Sequence, residues 1–473
     1  MANQQSRAQS RVESFIENPR GALWRLSLPI LGGMTIHTLY SVADMVFVGW
    51  VGPEAVAALA FNMPLIFFSY GITMGLSSGV TAVVARAIGG QDKVRADNTA
   101  EHAVFLGVVI GVGLTFIGLV WGAPLLAVLG ARGEIHTLAW SYFQVIALGI
   151  SFSVLSAFFR GILAGEGDTI RPMTLLGGGM VLNLILDPIF IFGLGQGVRG
   201  AALATIISQL IVFLIFVYLI FLRRSTFVKF RLRHFQYRPA ILTSILAIGL
   251  PASLSFVIMS IGAGVFNRIL SGYSHHAVAA YQIGGRLEMI YLMPIIAISA
   301  GTVTLVGMFY GAGEYGQLRG IIRYALERAV LFGLVAAAII YPLAPKILLI
   351  FNPSPEILEI GVSYLRINAL AFPVAPLGMI SARVLQGMGR GLPFLVITFL
   401  RVIALSAPLA ILFTYGLHLP VTYVWFAMVI SIAIASATGL IWLLAVLRQT
   451  EQLPVGAAPV ARPKSAPVVE GAA

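Results

Sequence analysis

The sequence contains no cysteine, and only 10% of its 473 residues are charged. The absence of cysteine excludes disulfides, thiolate metal sites and cysteine nucleophiles. Soluble domains carry about 25% charged residues, whereas 59% of this chain is hydrophobic. A water-soluble fold could not bury so many apolar side chains, so lipid must surround most of the protein.

Twelve apolar stretches, separated by polar breaks, are each long enough to cross a bilayer as a helix. The charged start of the chain has no cleavable signal pattern, so the first stretch is expected to remain as a helix. The sequence therefore predicts an all-α, polytopic membrane protein. The twelve predicted transmembrane helices lie near residues 24–50, 55–85, 98–122, 135–160, 172–194, 198–222, 240–270, 276–308, 319–344, 356–382, 393–415 and 421–447.

The net charge of +12 follows the predicted topology. Most of the 30 Lys and Arg lie in the two tails, or in loops and helix edges after even-numbered helices. Loops after odd-numbered helices contain only Arg132, Arg199 and Lys346. Because cytoplasmic loops carry the excess of positive charge, both termini are predicted to be cytoplasmic. We expect a multi-pass protein of the cell (inner) membrane with no nucleic-acid partner.

The chain resembles itself at an offset of about 222 residues. Leu28-Pro29 matches Leu250-Pro251, and Tyr142 to Gly167 matches Tyr364 to Gly389. Six helices per half give both halves the same orientation, as in transporters whose halves are related by an axis along the membrane normal. The sequence thus predicts two pseudo-symmetric six-helix bundles. The predicted units are an N-terminal bundle (1–222), a basic cytoplasmic linker (223–238), a C-terminal bundle (239–447) and a disordered tail (448–473).

Two carboxylates are predicted at bilayer depth in the first half, Asp44 in helix 1 and Asp187 in helix 5. Placing a carboxylate at this depth in the bilayer costs about 2.5–3.5 kcal/mol on insertion scales, so each of these residues is expected to have a structural or functional role. Asp44, Asp187 and Thr205 all lie about seven residues, or roughly 10 Å, from the outer ends of their helices. Asn62 in helix 2 is predicted at a similar depth. Asn183 precedes Asp187 by one helical turn, so both point to one helix face.

Two carboxylates close together in a low dielectric cannot both stay ionised without compensation. They will hold a proton, a metal ion or an organic cation. Together with the Asn183 amide oxygen and the Thr205 hydroxyl they form an all-oxygen set suited to Na⁺. The alternative is that each aspartate satisfies a local helix contact. The repeat replaces Asp44 by Phe266 and Asp187 by Leu409, so the first half is expected to carry the ionisable site.

Other intramembrane polar residues are candidates for substrate binding: Tyr40, Asn62, Gln282 and Glu288. Arg286 and Glu288 do not share a helix face, so each needs a partner on another helix, such as Arg401 or Arg366. For Arg286 and Glu288, an internal ion pair with such a partner is about as well supported as a role in substrate binding. Pro29 lies early in helix 1, where it either marks a helix start or acts as a bending point.

Several short motifs occur in order along the chain: Pro29, Tyr40-Ser-Val-Ala-Asp44, Val48-Gly49, Asn183-x-x-x-Asp187-Pro188, Gly200-Ala-Ala-Leu-Ala-Thr205 and the six-plus-six repeat. Each motif is short, but their order and spacing together are specific. They resemble the multidrug and toxic compound extrusion (MATE) family, and most closely its DinF-like branch, and the resemblance extends to about residue 447.

The resemblance implies two six-helix bundles around a central cavity, and export of organic, often cationic, compounds in exchange for H⁺ or Na⁺. It implies no enzymatic activity and no cofactor beyond the coupling ion. Small organic molecules and membrane lipid are the expected partners, and the chain is expected to act as a monomer. In the DinF-like branch, the first-bundle cation site uses residues that match Asp44, Asn183, Asp187 and Thr205, and the proline that matches Pro29 is associated with bending.

The NorM-like branch uses acids in its second bundle, including one in helix 10. Here helix 10 contains no Asp or Glu between Tyr364 and Arg383. Glu288 alone cannot rebuild that arrangement, so a second-bundle Na⁺ site is not expected.

Two other functions stay open. A membrane-embedded enzyme is suggested by Gly75-Leu-Ser77-Ser-Gly79, which fits a nucleophile pattern, but this segment lies within a helix and lacks His and acid partners. Gly165-Glu-Gly167-Asp168 resembles an intramembrane aspartyl protease motif, but its repeat mate replaces Asp168 by Arg390, which favours a turn. A lipid or lipid-linked precursor flippase of the same broad superfamily is the closer alternative.

Overall fold

A computed structural model describes residues 12–223, 225–230, 235–351 and 353–451. Within these ranges, twelve long helical segments follow a short helix at residues 12–17. The fold prediction is confirmed: the protein is all-α and polytopic, with two six-helix bundles. The first bundle contains α1 (Pro19–Val51), α2 (Pro53–Gly89), α3 (Lys93–Val128), α4 (Gly133–Gly165), α5 (Ile170–Gly193) and α6 (Gly197–Leu222).

The second bundle repeats this order. It contains α7 (Pro239–Ser271), α8 (His275–Ala312), α9 (Tyr315–Leu349), α10a (Pro355–Ala369), α10b (Ala375–Gly387), α11 (Leu392–Gly416) and α12 (Thr422–Glu451). Eleven of the described helices are apolar and long enough to cross a membrane. The twelfth span is divided between α10a and α10b.

The division of α10 corrects the prediction of one continuous helix over 356–382. Turn conformation interrupts the helix at residues 370–374. Pro373 lies in this turn, where its missing N–H cannot continue a helical hydrogen-bond ladder. The repeat mate of Pro373 is Ser151, and α4 is continuous there. The Phe372 ring stacks on Tyr291 of α8 with centroids 3.8 Å apart, so the break is packed into the second bundle.

Short π-helical segments occur in three other spans: α5, α6 (at Tyr218–Leu222) and α11. Ile189–Gly193 closes α5 directly after Asp187 and Pro188. Leu400–Ser406 and Leu412–Gly416 are the π-helical parts of α11. Single π-helical turns inside α-helices are frequent at functional sites, and the first of these segments adjoins the predicted carboxylate site.

The two bundles pack against each other through α1, α2, α7 and α8. We call the side of the molecule where α1 begins and α2 ends the basic face, because most Lys and Arg lie there. Glycines allow close helix approach in this half: a Cβ at Gly79 of α2 would lie 2.6 Å from the Ile245 carbonyl oxygen of α7. A Cβ at Gly301 of α8 would lie 2.6 Å from the Ser27 hydroxyl of α1.

The opposite halves of the same four helices leave large apolar side chains accessible. Examples are Leu39 (67% exposed), Phe67 (59%), Ile261 (52%) and Ile290 (62%), one from each helix. The close contacts between the bundles at Gly75, Gly79, Gly89 and Gly301 all lie in the half nearer the basic face, so the bundles meet there and diverge toward the other side. The cleft between them opens away from the basic face.

The described residues of the predicted linker are hydrogen-bonded to the first bundle. The Glu166 carboxylate accepts hydrogen bonds from the backbone N–H groups of Phe227 (3.1 Å) and Val228 (2.9 Å). The Arg238 N–H donates to the His102 ring at 2.8 Å. Glu166 belongs to the segment that resembled a protease motif, and its carboxylate serves here to hold the linker.

The end of α12 lies four residues later than predicted. The helix continues to Glu451 because residues 448–451 contain no helix breaker, and the next proline is Pro454. The rest of the predicted disordered tail, from residue 452, lies outside the described residues.

Candidate cation and substrate site

Four predicted site residues converge in the first bundle. Asp44 comes from α1, Asn183 and Asp187 from α5, and Thr205 from α6. The Asn183 amide nitrogen lies 3.4 Å from Asp187 Oδ1 and 3.5 Å from Thr205 Oγ1. Asp44 and Asp187 lie within electrostatic range of each other. The shared depth counted from the sequence therefore corresponds to proximity in space.

The cluster leaves two buried oxygens without a hydrogen-bond partner, Asn183 Oδ1 and Asp187 Oδ2. Asn183 is 3% exposed and Asp187 is fully buried. A buried acceptor without a partner costs about 1–3 kcal/mol, and more when it is charged. The Thr205 hydroxyl already donates to the Ala201 carbonyl at 3.0 Å, so its lone pairs also face the cluster. These oxygens fit a small hard cation or a proton.

No positively charged side chain in the described part of the chain is recorded within electrostatic range of either carboxylate. An arginine or lysine there would have neutralised the pair and explained its presence without a ligand. The compensation that two adjacent carboxylates require must come from protonation or from a bound cation.

Two tyrosines complete the wall of the cluster. The Tyr40 hydroxyl is hydrogen-bonded to Thr205 and lies near both carboxylates. Tyr142 of α4 is 8% exposed and also lies near Asp44 and Asp187. Sequence reasoning did not single out Tyr142, although it opens the matched segment of the repeat, where its mate is Tyr364. Tyr40, predicted as a substrate contact, thus adjoins the cation cluster.

Asn62 does not join the cluster. Its amide nitrogen donates to the carbonyls of Ala58 and Ala139, each at 3.0 Å, and the residue is fully buried. Because Ala139 belongs to α4, these bonds tie α2 to α4. These bonds give the Asn62 amide nitrogen a packing role, while its Oδ1 is buried without a hydrogen-bond partner, and the substrate contact stays a prediction.

Glu288 and Gln282 lie in the second bundle, apart from the aspartates. The Glu288 carboxylate is hydrogen-bonded to the Tyr364 hydroxyl and lies within electrostatic range of Arg401. Gln282 is exposed, and its amide donates to Asn267 Oδ1 at 2.9 Å. Of the partners considered for Glu288, Arg401 is the one that lies nearby. Tyr142 and Tyr364, which are repeat mates, each lie beside a carboxylate of their own bundle.

Comparison with known proteins gives the family. The MatE family pattern matches residues 29–189 and again 251–412, one match in each bundle. The chain belongs to the MatE family. The two matches begin at Pro29 and Pro251 and cover more than half of the chain. The comparisons do not distinguish the DinF-like branch, which stays a prediction.

Relatives of this MatE chain cover nearly its full length. A probable multidrug resistance protein NorM from Thermotoga maritima is 30% identical over 90% of this chain and 92% of its own. An FAD transporter from Shewanella oneidensis is 28% identical over 83% of this chain and 88% of its own. A solved MOP superfamily transporter from Pyrococcus furiosus, described as having a binding pocket of reverse polarity, has a TM-score of 0.88 and 33% identity, covering 92% and 97% of the two chains.

Pro29 lies inside α1, which runs without interruption from Pro19 to Val51 in this MatE chain. The segment before Pro29 is packed, with Leu23, Leu26 and Ser27 buried. Beyond it, α1 has no buried residue between Gly33 and Val48. Pro29 therefore separates an anchored part of the helix from the loosely packed part that carries Asp44.

Proposed function

We propose that this MatE protein is a secondary active multidrug efflux transporter that exchanges organic compounds for H⁺ or Na⁺ by alternating access. The observation that carries this proposal is the carboxylate pair of Asp44 and Asp187. The Asp187 Oδ2 atom is buried without a hydrogen-bond partner, and no basic side chain in the described residues lies within electrostatic range of the pair. Paired acids at bilayer depth mark ion pathways in transporters. The family relationship and the name of the Thermotoga maritima relative support the same function.

The residues that hold the coupling ion are proposed to be Asp44, Asn183, Asp187 and Thr205. Binding of H⁺ or Na⁺ neutralises the aspartates, and Asn183 and Thr205 supply further oxygen ligands. Two of these four residues lie on α5, one on α6 and one on the loosely packed part of α1. Neutralisation removes the repulsion between α1 and α5, so α1 is free to bend at Pro29 and change the shape of the cavity.

Alternating access follows from the way the bundles meet. Contacts near Gly79, Ile245, Gly301 and Ser27 close the cleft at the basic face, while the opposite side is open. We propose that the basic face is cytoplasmic, which makes this the outward-facing state. Rocking about the four central helices would exchange the closed and open ends. Each single chain contains a complete pair of bundles, so we propose that it works as a monomer in the cell (inner) membrane.

The test is transport by the purified full-length chain in proteoliposomes, with the pH and Na⁺ gradients imposed separately. The substrate panel contains organic cations such as ethidium, fluorescent phospholipids, and the flavins suggested by the FAD transporter from Shewanella oneidensis. We expect uphill movement of at least one compound under one of the two gradients. Absence of gradient-driven movement for the whole panel would refute the proposal. Movement of the phospholipids alone, without dependence on either gradient, would identify a flippase instead.

A further inference from the structure

At the basic face, α1 of the first bundle meets α9 of the second bundle around one aromatic ring. The guanidinium carbon of Arg20 on α1 lies 5.3 Å from the centroid of the Tyr324 ring on α9, and that of Arg328 lies 5.0 Å from the same centroid. The Trp24 indole N–H donates to the Tyr324 hydroxyl at 3.0 Å. Since both distances are measured to one ring, two arginines from different bundles are neighbours there.

The two helices present matching stripes of side chains at this joint. On each helix, three residues at four-residue spacing lie on one face, because side chains one turn apart are stacked above one another. The stripes are Arg20, Trp24 and Leu28 on α1, and Tyr324, Arg328 and Phe332 on α9. The Trp24 and Phe332 rings are in edge contact, with centroids 6.2 Å apart. The stripes therefore face each other across a groove between α1 and α9.

The groove lies where the polar part of each helix gives way to the apolar part. Arg328 is the last charged residue before the uncharged run 329–345, and on α1 residues 26–43 contain no Asp, Glu, Lys or Arg. Such runs lie in the hydrocarbon of a bilayer, and aromatic residues mark its interface. The arginines and the Trp–Tyr pair are thus at headgroup level. Leu28 (55% exposed) and Phe332 (37%) lie one turn further toward the hydrocarbon.

The positive charge of the groove has no counter-charge in the described part of the chain. Neither Arg20 nor Arg328 forms an ion pair with a described carboxylate. Glu327, which precedes Arg328, is paired with Arg323 at 2.7 Å. Arg20 is exposed, and the Arg328 Nε is buried without a hydrogen-bond partner. Each guanidinium has five N–H donors and no acceptor, so the pair lacks both negative charge and acceptor oxygens.

A phospholipid with an anionic headgroup supplies what the groove lacks. The planar fork of a guanidinium matches phosphate oxygens, and basic pockets between transmembrane helices bind anionic headgroups. Charge, aromatic groups and exposed apolar side chains follow one another along both stripes in the order of a lipid's phosphate, glycerol region and acyl chains. We infer that the groove between α1 and α9 binds one anionic membrane lipid, with its phosphate between Arg20 and Arg328 and its acyl chains along Leu28 and Phe332.

Such a lipid connects the two bundles on the side where the cleft is closed. Arg20 and Trp24 belong to the first bundle, and Tyr324 and Arg328 belong to the second. Separation of the bundles at the basic face moves the two arginines apart and takes the site apart with them. The lipid therefore stabilises the state that is closed at this face, and that state binds the lipid more tightly. The inference does not depend on which compound the protein transports.

The test titrates the detergent-solubilised full-length protein with phosphatidylglycerol or phosphatidylcholine of identical acyl chains. Native mass spectrometry measures the affinity of the first bound lipid. We expect phosphatidylglycerol to bind at least about tenfold tighter. Arg20→Gln and Arg328→Gln should each remove most of this preference and leave phosphatidylcholine binding unchanged. Arg20→Lys and Arg328→Lys should retain part of it, because the charge stays and the planar fork is lost.

Arg448→Gln is the matched control, since Arg448 is an exposed arginine in the last turn of α12. It removes the same charge from another helix and should leave the preference unchanged. Equal affinity of the wild type for the two lipids would overturn the inference. So would a preference that persists in the Arg20→Gln/Arg328→Gln double variant. If a glutamine variant fails to fold, the wild-type comparison and the lysine variants still decide.

Glycerol 3-phosphate distinguishes a lipid from a water-soluble phosphate. We expect no displacement of phosphatidylglycerol by this probe, which has no acyl chains. Displacement at equal concentration would assign the groove to a soluble phosphate and overturn the lipid assignment. Gradient-driven ethidium efflux is measured beside the lipid titration. Intact efflux with equal lipid affinities refutes the lipid site alone, whereas a clear preference for phosphatidylglycerol without any gradient-driven transport supports the site and counts against the proposed function.

Discussion

Replacing Gly79 by alanine should shift the protein away from the state that is closed at the basic face. Gly79 of α2 faces α7, and an alanine Cβ would lie 2.6 Å from the Ile245 carbonyl oxygen and 2.9 Å from the Gly249 nitrogen. Favourable contacts of carbon atoms begin at about 3.5 Å. Both neighbours are backbone atoms, so the clash is relieved only if α7 moves away from α2 by roughly 1 Å.

The magnitude follows from the cost of overpacking, which is typically about 1–3 kcal/mol for a well-packed contact. A state that separates the two bundles at the basic face avoids this cost. The equilibrium between the two states should therefore move by about 5–150-fold toward the separated one. Thermal stability should fall by no more than the same free energy.

The assay uses the absence of cysteine from the native chain. Spin labels are attached to Val94→Cys at the start of α3 and Gly320→Cys near the start of α9, one in each bundle at the basic face. Val94 is 62% exposed, and Gly320 has open space at its Cβ position. Pulsed electron paramagnetic resonance reports the distance between the labels. In Gly79→Ala we expect a longer-distance population that is minor in the parent protein.

Gly178→Ala is the matched control, because the Cβ of Gly178 on α5 would meet no atom within 4 Å. The same gain in helix propensity occurs there without a clash. Identical distance distributions for Gly79→Ala, Gly178→Ala and the parent would refute the assignment of this contact as the closure of the cleft.

Three further substitutions separate coupling, packing and bending. Thr205→Val should weaken coupling-ion affinity by about tenfold, measured from the ion dependence of efflux, whereas Thr205→Ser should retain it; equal behaviour of the two would exclude the hydroxyl as a ligand. Asn62→Ala should destabilise the fold by about 1–3 kcal/mol in thermal unfolding with unchanged efflux per folded molecule; lost efflux at unchanged stability would support the substrate-binding hypothesis. Pro29→Ala restores an N–H to α1 and should slow gradient-driven efflux several-fold without changing ion binding; unchanged rates would argue against bending.

The carboxylate site could be predicted because the positions of the acids along the chain are enough to locate it. Intramembrane acids are rare for energetic reasons, and counting residues along helices of known direction gives their depth. The repeat then showed that Asp44 and Asp187 have apolar mates, Phe266 and Leu409, in the second half. Helix spans were predictable for the same reason, since lipid requires long apolar runs. The structure added Tyr142, which is polar at one end only and so gives no depth signal in the sequence.

The break in α10 and the position of Asn62 were harder to predict. Pro373 lies in an apolar run in which a kink and a full break look alike, and the packing of Phe372 on Tyr291 decides between them. Asn62 lies at the predicted depth, but the sequence could not show that its amide nitrogen donates to the Ala139 carbonyl.

The most direct test of the central claim compares Asp44→Asn with Glu54→Gln, which removes an exposed acid at the start of α2. Both are reconstituted, and gradient-driven efflux is measured beside equilibrium exchange of the same substrate. If Asp44 and Asp187 hold the coupling ion, Asp44→Asn abolishes gradient-driven efflux but retains folding and substrate binding, and Glu54→Gln behaves as the wild type. Unchanged gradient-driven efflux in folded Asp44→Asn would contradict the account.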